Sequence, residues 1–157
     1  VRAYANPWGW ASRERYSDEF GQEIISNIKP IKKELLNSKI VICNYPQTTF
    51  SEAMHIGVPT LLMYAEKTWT LHDNFLPLLE EMRRVGIFHA SAESAAFHIK
   101  KIHKDPLKWW NEEDTKTVRS MFDRICGAPA KDKRIDKEWG EFFTNILDQS
   151  RTLTIEP

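Results

Sequence analysis

Two short apolar runs, Lys39–Cys43 and Thr60–Tyr64, enclose a segment punctuated like a helix, and this stretch constrains the fold more than any other. Neither run alternates polar with apolar residues, and each is too short for a helix. Both therefore read as strands buried on two faces, as strands of a parallel sheet are. Between them a loop, Asn44–Thr48, leads into a helix over Phe50–Ile56, which Gly57 ends and Pro59 keeps from continuing.

The same alternation recurs along the chain. Ile87–His89 reads as a third strand, and residues 2–5 and 22–25 are further strand-compatible stretches. Helices are expected from Ile28 to Leu36 with Asn27 as cap, and from Leu71 to Val85 before Gly86. Another runs from the Ser91 cap through His103. Asp105-Pro106 begins a further helix that carries Val118, Met121, Phe122 and Ile125 and stops at Gly127. Residues 127–134 read as a flexible surface loop. A final helix, Asp136–Gln149, aligns Trp139, Phe142, Phe143, Ile146 and Leu147 on one stripe, and the two C-terminal helices are expected to pack back across the domain. The fold class that follows is α/β, a Rossmann-like parallel sheet with helices on both faces, with residues 1–157 as one domain.

Charge and composition exclude several functions. Lys and Arg number 22 and Asp and Glu 22, so the zero net charge disfavours a nucleic-acid partner. Two cysteines, Cys43 and Cys126, are too few for a disulfide scaffold and fit reduced thiols in a cytoplasmic protein. No apolar run approaches the roughly 20 residues that cross a bilayer, and no stretch of this sequence reads as a signal peptide. The chain opens at Val1 in strand-like sequence, which suggests a piece of a longer protein.

The chemistry concentrates at Asn44–Glu52. In an open α/β sheet, ligands bind where loops leave the carboxyl ends of the strands. The unpaired N–H groups and positive dipole end of a helix start there suit a phosphate or pyrophosphate. Thr48, Thr49 and Ser51 add hydroxyl donors, and Glu52, one turn in, is placed to accept from a ribose diol. The competing reading is structural: threonines before a helix cap it, and a nearby Glu completes a capping box. No GxGxxG or P-loop pattern occurs.

Thr49–Thr60, TFSEAMHIGVPT, resembles the T-x-x-E-A-x-x-x-G-x-P element of GT-B-type glycosyltransferases, including the peptidoglycan transferase that uses UDP-N-acetylglucosamine. A wider resemblance rests on Arg2-x-Tyr4, Gly9-Trp10, IVICNYPQTTFSEA, VGIFHASAESAAFHI (Val85–Ile99) and Trp109-Trp110. It points to a family of surface-carbohydrate transferases first catalogued in Leptospira. The resemblance implies the C-terminal, donor-binding half of a two-domain GT-B enzyme that builds bacterial surface polysaccharide. The helix start, Thr48, Thr49 and Ser51, would hold the diphosphate of a nucleotide sugar, and Glu52 its ribose. His72, Asp73 and Asn74, in the next loop of the ligand edge, would meet the donor sugar. One departure is that the flexible Gly-Gly or Ser-Gly turn found elsewhere is here Tyr45-Pro46-Gln47.

Arg13 and Arg15, after the first strand-like segment, are candidates to balance pyrophosphate charge. No cofactor beyond the nucleotide-sugar substrate is implied, and no metal. The acceptor and the general base would belong to a missing N-terminal domain, so this chain alone is expected to be inactive. Peripheral association with the inner face of the plasma membrane is an expectation for the full-length protein. His55, His89, His98 and His103 lack ligand spacing and read as structural, as do Trp109, Trp110 and Trp139. Two alternatives stand beside the transferase: half of a nucleotide-sugar epimerase, and a non-catalytic α/β interaction module. The latter would bind no nucleotide and would carry its largest apolar patch away from the strand carboxyl ends.

Overall fold

The computed structural model describes residues 1–2, 9–27, 30–127 and 135–152, with 135–136 and 149–152 described by backbone alone. In chain order come α1 (Ser12–Phe20), α2 (Ile31–Leu36), β1 (Val41–Cys43), α3 (Thr48–Ile56), β2 (Thr60–Met63) and α4 (Leu76–Arg84). Then follow β3 (Phe88–His89), α5 (Ala92–Ile102), α6 (Pro106–Trp110), α7 (Glu113–Cys126) and α8 (Ile135–Thr152). The strands form one small parallel sheet in the order β1-β2-β3, with Val41 opposite Thr60, Cys43 opposite Leu62, and Leu62 opposite Phe88. Helices make up most of the rest, so the architecture is α/β as expected.

Partners in a parallel ladder point the same way, so Val41, Cys43, Thr60, Leu62 and Phe88 share one face. On that face Arg83 of α4 lies over the Phe88 ring at 4.7 Å. α7 contacts both α3 and α4. Phe122 of α7 then meets Phe50 of α3 edge-on at 5.6 Å, closing the core. Ile42, Leu61, Met63 and His89 face the other way, where α5 covers β2 and β3 through Ser94 and His98. Cover stops short of β1. Ile42 is 52% exposed, which corrects the expectation of a first run buried on both faces. β1 is the edge strand among the described residues, and its middle residue lies on the uncovered side.

Local chemistry explains the turns around α3. Gly57, at φ 83°, takes the left-handed conformation that ends α3. Its N–H and that of Val58 both donate to the Ala53 carbonyl, and three residues later the chain is in β2. Trp110 fixes the same corner by donating from Nε1 to the Gly57 carbonyl at 2.8 Å, while Trp109 donates to Val85 at 2.8 Å. Both indoles are buried, so the packing role read from the sequence holds for this pair.

Several boundaries differ from the sequence reading. Residues 22–25 form no strand; Gln22–Ile24 is a 3₁₀ turn beneath α1, and residues 3–5 of the first strand-like stretch lie outside the described residues. Ile28 also lies outside them, and α2 starts after Pro30 rather than on an Asn27 cap. The helix expected from Leu71 begins at Leu76, after a 3₁₀ turn Asp73–Phe75. The helix after Asp105 is two helices: the chain breaks at Asn111–Glu112, and Arg119 of α7 donates to the Trp110 carbonyl that the break leaves open. Of the two C-terminal helices α7 packs on α3 and α4, with Val118 and Phe122 buried. The α8 stripe is exposed, Trp139 52% and Leu147 59%, and Trp139 stacks on Phe143 of its own helix. Its packing role is therefore corrected. Residues 128–134 of the expected loop lie outside the described residues. No helix among the described residues is long and apolar enough to cross a membrane.

Candidate functional site

β1 delivers the chain to the carboxyl edge of the sheet at Cys43, and five residues later α3 begins. Gln47 holds the N-cap position with extended backbone (φ −122°, ψ −166°), and no side chain caps the helix. The Gln47 carbonyl accepts from Phe50 at 2.9 Å and from Ser51 at 3.2 Å. Thr48 and Thr49 are thus the first two helical residues, and their N–H groups have no backbone acceptor among the described residues. Such groups at a helix start are the donors that bind anions.

The capping-box reading does not fit this geometry. A box needs its Glu three residues after the cap, and that position is Phe50, 2% exposed in the core. Glu52 sits two residues further on. Helical spacing puts Thr48, Ser51 and Glu52 on one outward face, while Phe50, Ala53 and Met54 turn inward. The Glu52 carboxylate is exposed and makes no ion pair or hydrogen bond among the described residues.

The loop after β2 supplies the second set of candidates at the same edge. His72 is committed in part: its Nδ1 accepts from the Asn74 N–H at 3.2 Å and caps the 3₁₀ turn. The side chains of Asp73 and Asn74 lie exposed on that turn. Arg13 and Arg15 lie on α1, a helix and not a loop, and the Arg13 guanidinium is bonded to the Asn27 Oδ1 at 3.2 Å. No contact brings either arginine to the α3 start among the described residues.

Sequence reading missed two features. Tyr45 in the loop after β1 stacks on Trp69 in the loop after β2, with centroids 6.3 Å apart and planes 21° apart. Their separation of 24 positions hides the pair from any local pattern. The second is a cavity of about 400 Å³ beside β3, lined by Gly86, His89, Ser94 and His98 among others. The Gly86 carbonyl accepts only, so His89 Nε2 carries the proton (3.0 Å), and Nδ1 takes the Ser94 hydroxyl proton at 2.8 Å. Burial lowers the His89 pKa, and burial followed by His89 and Lys101 pushes His98 down to about 4. Both rings are neutral at pH 7. His55 packs on Phe122 at 5.4 Å. Burial pushes the Cys43 thiol up to about 11, which leaves it protonated and unreactive.

What the arrangement can do is hold an anion at the α3 start with neutral donors, flanked by a carboxylate able to take hydroxyls and by an aromatic pair. Comparison with known families places the chain among transferases. The family model described as LIC12162 family transferase matches residues 1–142. No curated protein matches the chain, and no solved structure does.

Proposed function

The chain belongs to the LIC12162 family of transferases, and from that premise we propose that it binds the nucleotide-sugar donor of a glycosyltransferase. The observation that carries this reading is the uncapped start of α3, at the carboxyl edge of a parallel sheet, with Thr48, Ser51 and Glu52 turned outward. The Thr48 and Thr49 N–H groups, with their hydroxyls and that of Ser51, receive the diphosphate. Glu52 accepts the two ribose hydroxyls, and Asp73 and Asn74 meet the sugar. Arg13, placed on α1 and bonded to Asn27, is left as a more distant counter-charge.

In this reading the sugar anomeric carbon leaves the diphosphate for an acceptor hydroxyl. The bond electrons stay on the diphosphate oxygen, whose growing charge the α3 donors stabilise without reorganising. The acceptor proton goes to a base on a second, N-terminal domain of GT-B type, which also binds the acceptor. The product would be bacterial surface polysaccharide, made on the cytoplasmic side with the full-length enzyme resting against the membrane. No resident cofactor or metal enters the scheme. The interaction-module alternative has the exposed α8 stripe in its favour, yet it gives no account of a transferase family.

Calorimetric titration with UDP, GDP and dTDP tests the proposal. One of them should bind, and Glu52→Gln should weaken it about tenfold or more, because two charge-assisted hydrogen bonds lose their charge. The melting temperature should not move, since Glu52 makes no ion pair or hydrogen bond among the described residues. Undiminished affinity in Glu52→Gln overturns the ribose assignment.

A further inference from the structure

We propose that the Tyr45–Trp69 pair is a stacking platform for the hexose ring of the donor, with Trp69 as the residue that makes binding depend on the sugar. This rests on the donor-site reading above and adds to it a contact that the sequence motif does not contain. In the parallel sheet β1 and β2 are neighbours, with Cys43 opposite Leu62. The loops leaving their carboxyl ends therefore emerge side by side, and each contributes one ring. Tyr45 lies three residues before the first residue of α3, so the pair borders the N–H groups assigned to the diphosphate.

The pair is not core. The buried cluster draws its aromatic members from Phe50, Tyr64, Phe88, Trp109, Trp110 and Phe122, and Trp69 stays 36% exposed. Nor is Trp69 loosely held. The Thr68 hydroxyl donates to the Ala65 carbonyl at 2.6 Å, and the Trp69 N–H donates to Glu66 at 3.3 Å. The Glu66 carboxylate is bridged to Arg83 of α4 at 2.9 Å. A short turn tied to α4 thus holds a partly exposed indole in place, and an aromatic surface ordered in advance binds without further loss of freedom.

The ligand that fits is an anion joined to a ring with one apolar face and a polar rim. A pyranose has that form: its axial C–H groups lie against an indole, and its hydroxyls reach outward. Asp73 and Asn74, on the turn that follows Trp69, carry the carboxylate and amide groups that take such hydroxyls. Glu52 stands on α3, so the ribose end and the hexose end are served by different elements.

The test compares bare nucleotides with their sugar conjugates: UDP with UDP-glucose and UDP-N-acetylglucosamine, GDP with GDP-mannose, and dTDP with dTDP-glucose. Each is titrated calorimetrically into the wild-type chain and into Trp69→Ala, Trp69→Phe and Glu52→Gln. The conjugate should bind more tightly than its bare diphosphate. Trp69→Ala should remove that advantage, weakening the conjugate roughly fivefold to tenfold and leaving the bare diphosphate within about twofold. Trp69→Phe should keep most of it. A melting curve unchanged in Trp69→Ala would show that the exposed indole is not needed for folding. Equal weakening of conjugate and bare diphosphate would overturn the assignment in favour of nucleobase stacking. No effect of Trp69→Ala while Glu52→Gln weakens both would overturn the platform and leave the donor site standing. Failure of every nucleotide to bind the wild type would overturn both.

Discussion

Gly86 is the residue whose substitution the structure prices most closely. It lies between α4 and β3 at φ +80°, and a Cβ built there would sit 2.5 Å from His98 Cε1, 2.8 Å from Nε2 and 2.9 Å from Nδ1. Trp109, edge-on at 4.9 Å, and His89 at 5.3 Å hem the ring on two sides, so it can yield only toward the cavity that Gly86 and His98 both line. Gly86→Ala therefore carries two separable costs. Left-handed backbone with a side chain costs about 1–2 kcal/mol, and driving a methyl against the His98 ring costs about 1–3 kcal/mol. The sum, about 2–5 kcal/mol, corresponds to a fall of roughly 4–20 °C in melting temperature for a chain of this size. Calorimetric melting of Gly86→Ala, His98→Ala and the double variant separates the terms. With the ring gone, adding Gly86→Ala should cost only the backbone share. The same cost in both backgrounds would show that His98 is not the obstacle, and a shift under about 2 °C would refute the packing described for β3 and α5.

Two further predictions concern stability. Trp110→Phe removes the donor to the Gly57 carbonyl and should destabilise by about 1–3 kcal/mol, read as a lower urea midpoint with an unchanged slope; an unaltered midpoint would mean that this corner does not fix α3. Folding lowers the His98 pKa from 6.5 to about 4, so its contribution is whole above pH 6.5 and is lost as the pH falls toward 4. His89, lowered by burial, acts in the same direction. Urea midpoints should fall between pH 6.5 and 5 and fall less in His98→Asn; equal slopes in the two proteins would rule the ring out as the cause.

The strands were legible because short apolar runs between Gly and Pro leave few options. Thr60–Met63 and Phe88–His89 formed where the pattern placed them, and Gly57 and Gly86 ended their helical segments with positive φ. The exposure of Ile42 was not legible: a strand's own residues do not reveal whether it lies at an edge. Gln22–Ile24 misled because Ile24 and Ile25 favour strand, whereas the Ile25 N–H turns back to donate to the Gln22 carbonyl at 3.1 Å and closes a 3₁₀ turn. At the site, the sequence placed Thr48–Glu52 at a helix start but could not tell a cap from a ligand. The residue at the N-cap is Gln47, so no threonine caps α3, and the sequence did not reveal that. The Tyr45–Trp69 contact is long-range and appears only once the sheet sets β1 beside β2.

The central claim is that the α3 start receives a nucleotide diphosphate, and amide chemical shifts report on it directly. An ¹⁵N-labelled sample titrated with UDP, GDP or dTDP should show its largest perturbations at the Thr48 and Thr49 amides, whose N–H groups meet no backbone acceptor among the described residues. Smaller shifts should follow at Tyr45 and Ser51, and the amides of Ser91 to His98, which flank the cavity beyond β3, should stay still. Saturable shifts confined to the Ser91–His98 segment, with Thr48 and Thr49 unmoved by all three nucleotides, would contradict the account.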